Sequence, residues 1–95
     1  MYYIIRTKAF EKSYRKIKNS GILKPSVLDS FKEAVSLISE GKQLPSGYND
    51  HKLHGSMGRY RECHIKGDLL LVYQIKNEQL LLILVDIGTH SYLNF

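Results

Sequence analysis

Ninety-five residues, 43% of them hydrophobic and 24% charged, make one ordinary globular domain around a single core and exclude a multidomain enzyme or a disordered chain. Cys63 is the only cysteine, so neither an intramolecular disulfide nor a cysteine-built zinc cage can form, and a reducing compartment is expected. Fourteen Lys and Arg against nine Asp and Glu give a net charge of +5, which attracts polyanions by phosphate neutralisation and counterion release.

Half of those basic residues, namely Arg6, Lys8, Lys12, Arg15, Lys16, Lys18 and Lys24, fall in the first quarter of the chain, with Glu11 the only acid among them. The cluster suits a nucleic-acid surface and a solvated helix face equally. The chain carries no charged-then-apolar leader pattern at its start and no apolar run near the ~18–20 residues that span a bilayer. A soluble protein of the cytoplasm, with no membrane partner, is the expectation.

In chain order, Tyr2 to Thr7 reads as a first strand, rich in β-branched and aromatic residues. Thr7 caps a helix to about Asn19, on which Phe10, Tyr14 and Ile17 form one apolar stripe at helical spacing. Ser20-Gly21 ends it, glycine suiting the left-handed residue of a C-terminal cap. A second helix is predicted from Ser26, three residues before Asp29 in a near-capping-box arrangement. Leu28, Phe31, Val35 and Ile38 supply its stripe, Gly41 stops it and Pro45 prevents resumption.

Residues 42–59 are rich in Gly, Ser, Asn, Asp, His and Pro and predict a long loop, a length usually functional or disordered. Three strands follow, Tyr60 to Ile65, Leu69 to Ile75 and Leu80 to Ile87, joined by turns at 66–68 and 76–78. The last two are apolar on both faces, as in central strands covered on both sides. The fold class is therefore α+β: an N-terminal strand and a helical hairpin packed on a mainly antiparallel sheet of about four strands. The helices cover one face, which predicts an apolar groove awaiting a partner on the other.

All four histidines lie in the second half: His51 and His54 in the loop, His64 late in a strand and His90 beyond the last strand. Asp68 follows His64 in the turn. Antiparallel strands with tight turns bring such positions within reach of one another. Histidine both takes and gives a proton near neutrality, which is what metal-free RNA cleavage requires. A base deprotonates a ribose 2′-hydroxyl, an acid protonates the departing 5′-oxygen, and a cation steadies the phosphoryl oxygens. Arg61, with its planar fork, suits a phosphate clamp, or equally a structural ion pair. Cys63 alternates with His64 and reads as packing on the opposite face.

The blocks Asp50-His51-Lys52-Leu53-His54-Gly55-Ser56, Tyr60-Arg61-Glu62-Cys63-His64, Asp68, Leu71-Val72-Tyr73 and Gly88-Thr89-His90 resemble, in this order and spacing, the YafQ branch of the RelE/ParE toxin superfamily. The matching pattern runs over roughly residues 44–93. The resemblance implies a small α+β toxin that cuts messenger RNA on the ribosome without a metal cofactor and is neutralised by an antitoxin in a hetero-oligomer. It implies catalytic roles for His51, His64, Asp68 and His90. His90 would be the proton donor, His51 and His64 would orient phosphate and support proton transfer, and Asp68 would position a histidine or the nucleotide. Arg61, Lys52 and Phe95 would bind substrate. One departure stands out: the family's terminal aromatic falls on Asn94 here, with Phe95 next to it and Tyr92 as a substitute for stacking on a base. The rival readings are a ParE-like toxin that binds gyrase and cuts nothing, an RNA-binding or interaction module with structural histidines, and a metal site using His51, His54, His64 and Asp68.

Overall fold

The computed structural model describes residues 1–93. A short edge strand, β1 (Tyr3–Arg6), leads into α1 (Lys8–Asn19) and α2 (Pro25–Ser39). The loop that follows holds two single-turn helices and a two-residue strand, β2 (His51–Lys52). Then come β3 (Arg61–Lys66), β4 (Leu69–Lys76), β5 (Leu81–Thr89) and a one-turn helix, α3 (His90–Leu93). The five strands take the order β1-β5-β4-β3-β2. β1 runs parallel to β5, and every other pairing is antiparallel.

The α+β architecture is as expected, with one strand more. β2 is too short to read from periodicity and exists because His51 and Lys52 pair with Glu62 and Arg61. The Thr7 cap is present: its hydroxyl accepts from the Phe10 N–H at 3.0 Å and donates to the Val85 carbonyl at 2.7 Å, tying α1 to β5. Gly21, at φ 83°, closes α1 as predicted, and the Ile22 N–H reaches back to the Ile17 carbonyl.

α2 begins differently. Pro25 occupies its first turn and Lys24 its cap position, without a side-chain cap bond. A proline's fixed φ and missing N–H suit this place better than Ser26 does. Its packed stripe is Val27, Phe31, Ala34, Val35 and Ile38, so Phe31, Val35 and Ile38 pack as predicted while Val27 rather than Leu28 meets the core. Phe10, Tyr14 and Phe31 join the two helices, with ring centroids 5.7 to 6.1 Å apart.

The helices cover one face of the sheet, against Cys63, Ile65, Leu69, Leu71, Tyr73, Leu82, Leu84 and Ile87. On the other face the expected open groove is not found at the sheet centre. Leu70 and Val72 are 1% and 0% exposed, because their register neighbours His64, Glu62 and Asp86 stand beside them. Exposed apolar surface gathers instead on β1, at Tyr3, Ile4 and Ile5.

Two irregularities shape the region around the histidines. β3 bulges at Ile65, immediately after His64, and β5 bulges opposite the Val72–Tyr73 step. A bulge bends its strand and re-aims the neighbouring side chains. Gly67, at φ 60°, makes the tight β3–β4 turn that a side chain would strain.

Candidate active site

Alternation along β3 places Glu62 and His64 on the face away from the helices, and pairing puts His51 opposite Glu62. The His51 and His64 rings are 6.4 Å apart between centroids and tilted by 51°. His51 Nδ1 lies 2.7 Å from the Asn49 carbonyl. A carbonyl only accepts, so Nδ1 carries a proton. The other ring nitrogen, Nε2, faces Glu62 Oε1 at 3.3 Å. The Asn49 side-chain nitrogen stands 3.5 Å from His64 Nε2. Asn49 itself is left-handed, at φ 46°, a conformation asparagine tolerates better than most residues.

Glu62 and Asn49 were missed by the sequence reading. For Glu62 a signal existed, since a residue two before His64 in one strand must share its face. Glu62 is 5% exposed, and its Oε2 is buried without a hydrogen-bond partner. Such an arrangement costs stability and points to a role beyond packing.

Asp68 and His90 stand at one end of the sheet. The last β4–β5 pair is Leu69 with Thr89, so Asp68, in the β3–β4 turn, and His90, the first residue of α3, immediately flank that pair, and both are exposed. His64 and Gly88 both flank Leu70. At about 4.8 Å per strand their Cα atoms are therefore roughly 10 Å apart, with His90 two residues further on. Asp68 and His90 thus lie at the β3–β4 turn end of the sheet, with His64 on β3 leading toward it and His51 beside Glu62, two residues further back along β3. Of these four, only His51 and His64 are in ring-to-ring proximity. His54 is exposed in the loop.

Arg61 lies elsewhere. Its guanidinium binds Asp50 through Nη2 at 3.0 Å and Nε at 3.4 Å, and the Tyr73 hydroxyl donates to the same carboxylate. Asp50's hydrogen bond pulls the Arg61 pKa upward, while burial first, and then Asp50, push that of Tyr73 well above the ordinary phenol value. This cluster sits on the helix side of β3 and pins the loop just before His51. Of the two roles open to Arg61, the ion pair is the one present here. Lys52 is exposed and registers with Arg61, so its side chain emerges on the face opposite His51. Cys63 is buried and its thiol is pushed up to about 12, mainly by burial, which makes it inert packing. Tyr92 is committed to α1: its hydroxyl lies 3.0 Å from Ser13 Oγ and its ring under Lys16 Nζ. Phe95 lies outside the described residues.

The sequence matches, over residues 2–94, the family described as the bacterial toxin of type II toxin-antitoxin systems, YafQ. The chain belongs to the YafQ family. An mRNA interferase toxin YafQ from Escherichia coli K12 is 39% identical over 57 residues, 60% of each chain. A YafQ relative from Haemophilus influenzae is 44% identical over 52 residues, 53% of this chain. The alignments span 51% and 60% of these two relatives' own lengths. Solved structures match more fully. A metal-bound toxin from Helicobacter pylori superposes with a TM-score of 0.87 at 38% identity, covering 98% of this chain and 99% of that one. YafQ in the Escherichia coli DinJ–YafQ complex superposes with a TM-score of 0.81 at 28% identity, covering 98% of both. Among the described residues of this YafQ-family chain no three His, Cys, Asp or Glu side chains are grouped so that they could hold a metal ion. Nor is any helix here long and apolar enough to cross a membrane.

Proposed function

We propose that this YafQ-family chain is a ribosome-dependent mRNA endoribonuclease of the RelE/ParE superfamily, working by histidine acid–base chemistry and held in check by a cognate antitoxin in a hetero-oligomer. The observation that carries the reading is the meeting of His51 and His64 around Asn49, with Asp68 and His90 flanking the end of the sheet toward which β3 runs beyond His64.

His64 is the base. Its Nε2 faces an amide that donates, which makes Nε2 the unprotonated ring nitrogen, and the substrate hydroxyl displaces that long 3.5 Å contact. It takes the 2′-hydroxyl proton, the 2′-oxygen attacks the adjacent phosphorus, and the bond to the 5′-oxygen breaks. His90 gives its proton to that oxygen, leaving a 2′,3′-cyclic phosphate and a free 5′-hydroxyl. His51, with Nδ1–H fixed on Asn49 and Nε2 toward Glu62, serves as the cation beside the phosphoryl oxygens. Asp68, which precedes Leu69 as His90 follows its partner Thr89, orients that imidazole. Lys52 reaches substrate only at the rim, through phosphate, and Arg61 stays with Asp50. No step is routed through a metal ion. Relatives named mRNA interferase and a relative solved with its antitoxin DinJ support the substrate and partner classes, and the +5 charge suits both polyanions and an acidic neutralising segment.

Primer extension on a translated message, with purified protein and EDTA, tests this reading with and without ribosomes. Codon-phased cuts that need ribosomes and vanish on adding the antitoxin are expected. No cuts under any condition would overturn the nuclease and favour a ParE-like gyrase binder.

A further inference from the structure

We infer that Ser13, Tyr92 and Gly88 form a latch that fixes His90, and that Ser13, on α1, is a positioning residue for the chemistry proposed above, on which this inference rests. A helix of four residues cannot hold its own conformation, because nucleation costs more than one turn returns. α3 is such a helix, and His90 is its first residue. At its start the Tyr92 N–H reaches the Thr89 hydroxyl at a long 3.3 Å. Its order must come from tertiary contacts, and these converge on Tyr92.

Three contacts are made. The Tyr92 hydroxyl meets Ser13 Oγ at 3.0 Å. Lys16 Nζ lies 5.0 Å from the ring centroid, within cation–π range. The ring also lies against Gly88, so closely that a Cβ at that position would overlap it. Ser13 is 2% exposed. A buried serine in a helix normally turns its hydroxyl to its own backbone, whereas this one is aimed at the C-terminal segment 79 residues away.

His90 lies between the two ends of this contact, two residues after Gly88 and two before Tyr92. Thr7 closes the other side by tying the start of α1 to the Val85 carbonyl. α1, β5 and α3 therefore form a closed frame with the proton donor on its rim. Because reacting groups lose rate steeply with small displacements, releasing Tyr92 should slow the chemical step and leave substrate binding intact.

The test uses Ser13→Ala, Tyr92→Phe and their combination, with Ser39→Ala on α2 as a control for removal of a helix hydroxyl. Two quantities are read: cleavage kinetics on ribosome-bound message, and the His90 imidazole cross-peak by NMR. Each single variant is expected to lower kcat about tenfold with KM within about twofold. The combination should fall no further than the worse single variant, and the His90 cross-peak should shift or broaden in all three. Ser39→Ala should change neither. Unchanged kcat, additive losses or an unmoved His90 signal would overturn the latch. Should the wild type cleave nothing, the nuclease reading fails on its own. The His90 signal then still decides whether Ser13 and Tyr92 hold that residue.

Discussion

Glu62 keeps one carboxylate oxygen buried and unpaired while the other faces His51. A protein of this size gains nothing in stability from that, since an orphaned buried acceptor costs about 1–3 kcal/mol. The cost is understandable if the carboxylate supports a cationic His51 during turnover. Glu62→Gln keeps the shape and removes the charge. It should raise stability by about 1 kcal/mol, a rise of roughly 4 °C in Tm for a domain this small, while lowering kcat. Calorimetry and cleavage kinetics on the same preparation check this pair of changes. A variant that loses both stability and activity would make Glu62 a structural residue. Among single residues, motif order names His51, His64, Asp68 and His90 as candidates, and the structure brings the rings of His51 and His64 together. Asn49 could not, because its importance comes from a left-handed backbone and two contacts on either side of it.

At the scale of elements, the loop between α2 and β3 is anchored at two points. Tyr48 bonds to Glu33 at 2.7 Å on α2, and Asp50 is gripped by Arg61 and Tyr73. The second anchor sets where His51 enters the sheet. Asp50→Ala leaves the buried Tyr73 hydroxyl unpaired and should cost about 2 kcal/mol, with faster amide exchange across residues 42–60. Arg61→Ala should loosen the same loop. Loss of substrate affinity with unchanged exchange would instead return Arg61 to the role of phosphate clamp. Elements fixed by local chemistry were legible in the sequence: the Thr7 cap, the Phe10, Tyr14 and Ile17 stripe, and the Gly67 turn each need only neighbouring residues. β2 was not legible, because two residues carry no periodicity and its existence depends on the pairing of His51 with Glu62 and of Lys52 with Arg61, across the intervening loop. The closed centre of the outer face was hidden for a similar reason. Runs such as Leu69 to Ile75 reveal that a strand is apolar, whereas the neighbours that shield Leu70 and Val72 are set by register.

For the whole molecule, the groups displaced furthest in pKa predict alkaline lability. Burial moves the Cys63 thiol from 9.0 to about 12, and burial with Glu33 moves the Tyr48 phenol from 10.0 to about 12. Tyr73 shifts in the same direction. These groups stay neutral in the folded state while the unfolded chain ionises. Their stabilisation is therefore complete below pH 9 and declines as pH rises from there toward 12. The urea midpoint should be flat to pH 9 and then fall, less steeply in Cys63→Ala; a flat profile to pH 11 would contradict it. The same compact frame holds Asp68 and His90 beside the last β4–β5 pair, Leu69 with Thr89, where we assign His90 the proton for the departing 5′-oxygen. The most direct test of that assignment compares His90→Ala with wild type on ribosome-bound message carrying either an ordinary linkage or a 5′-phosphorothiolate at the cut site, since a thiolate leaves without protonation. The account predicts a loss of about 10²–10⁴-fold on the ordinary linkage and near-wild-type cleavage of the sulfur linkage. An equal loss on both would contradict it.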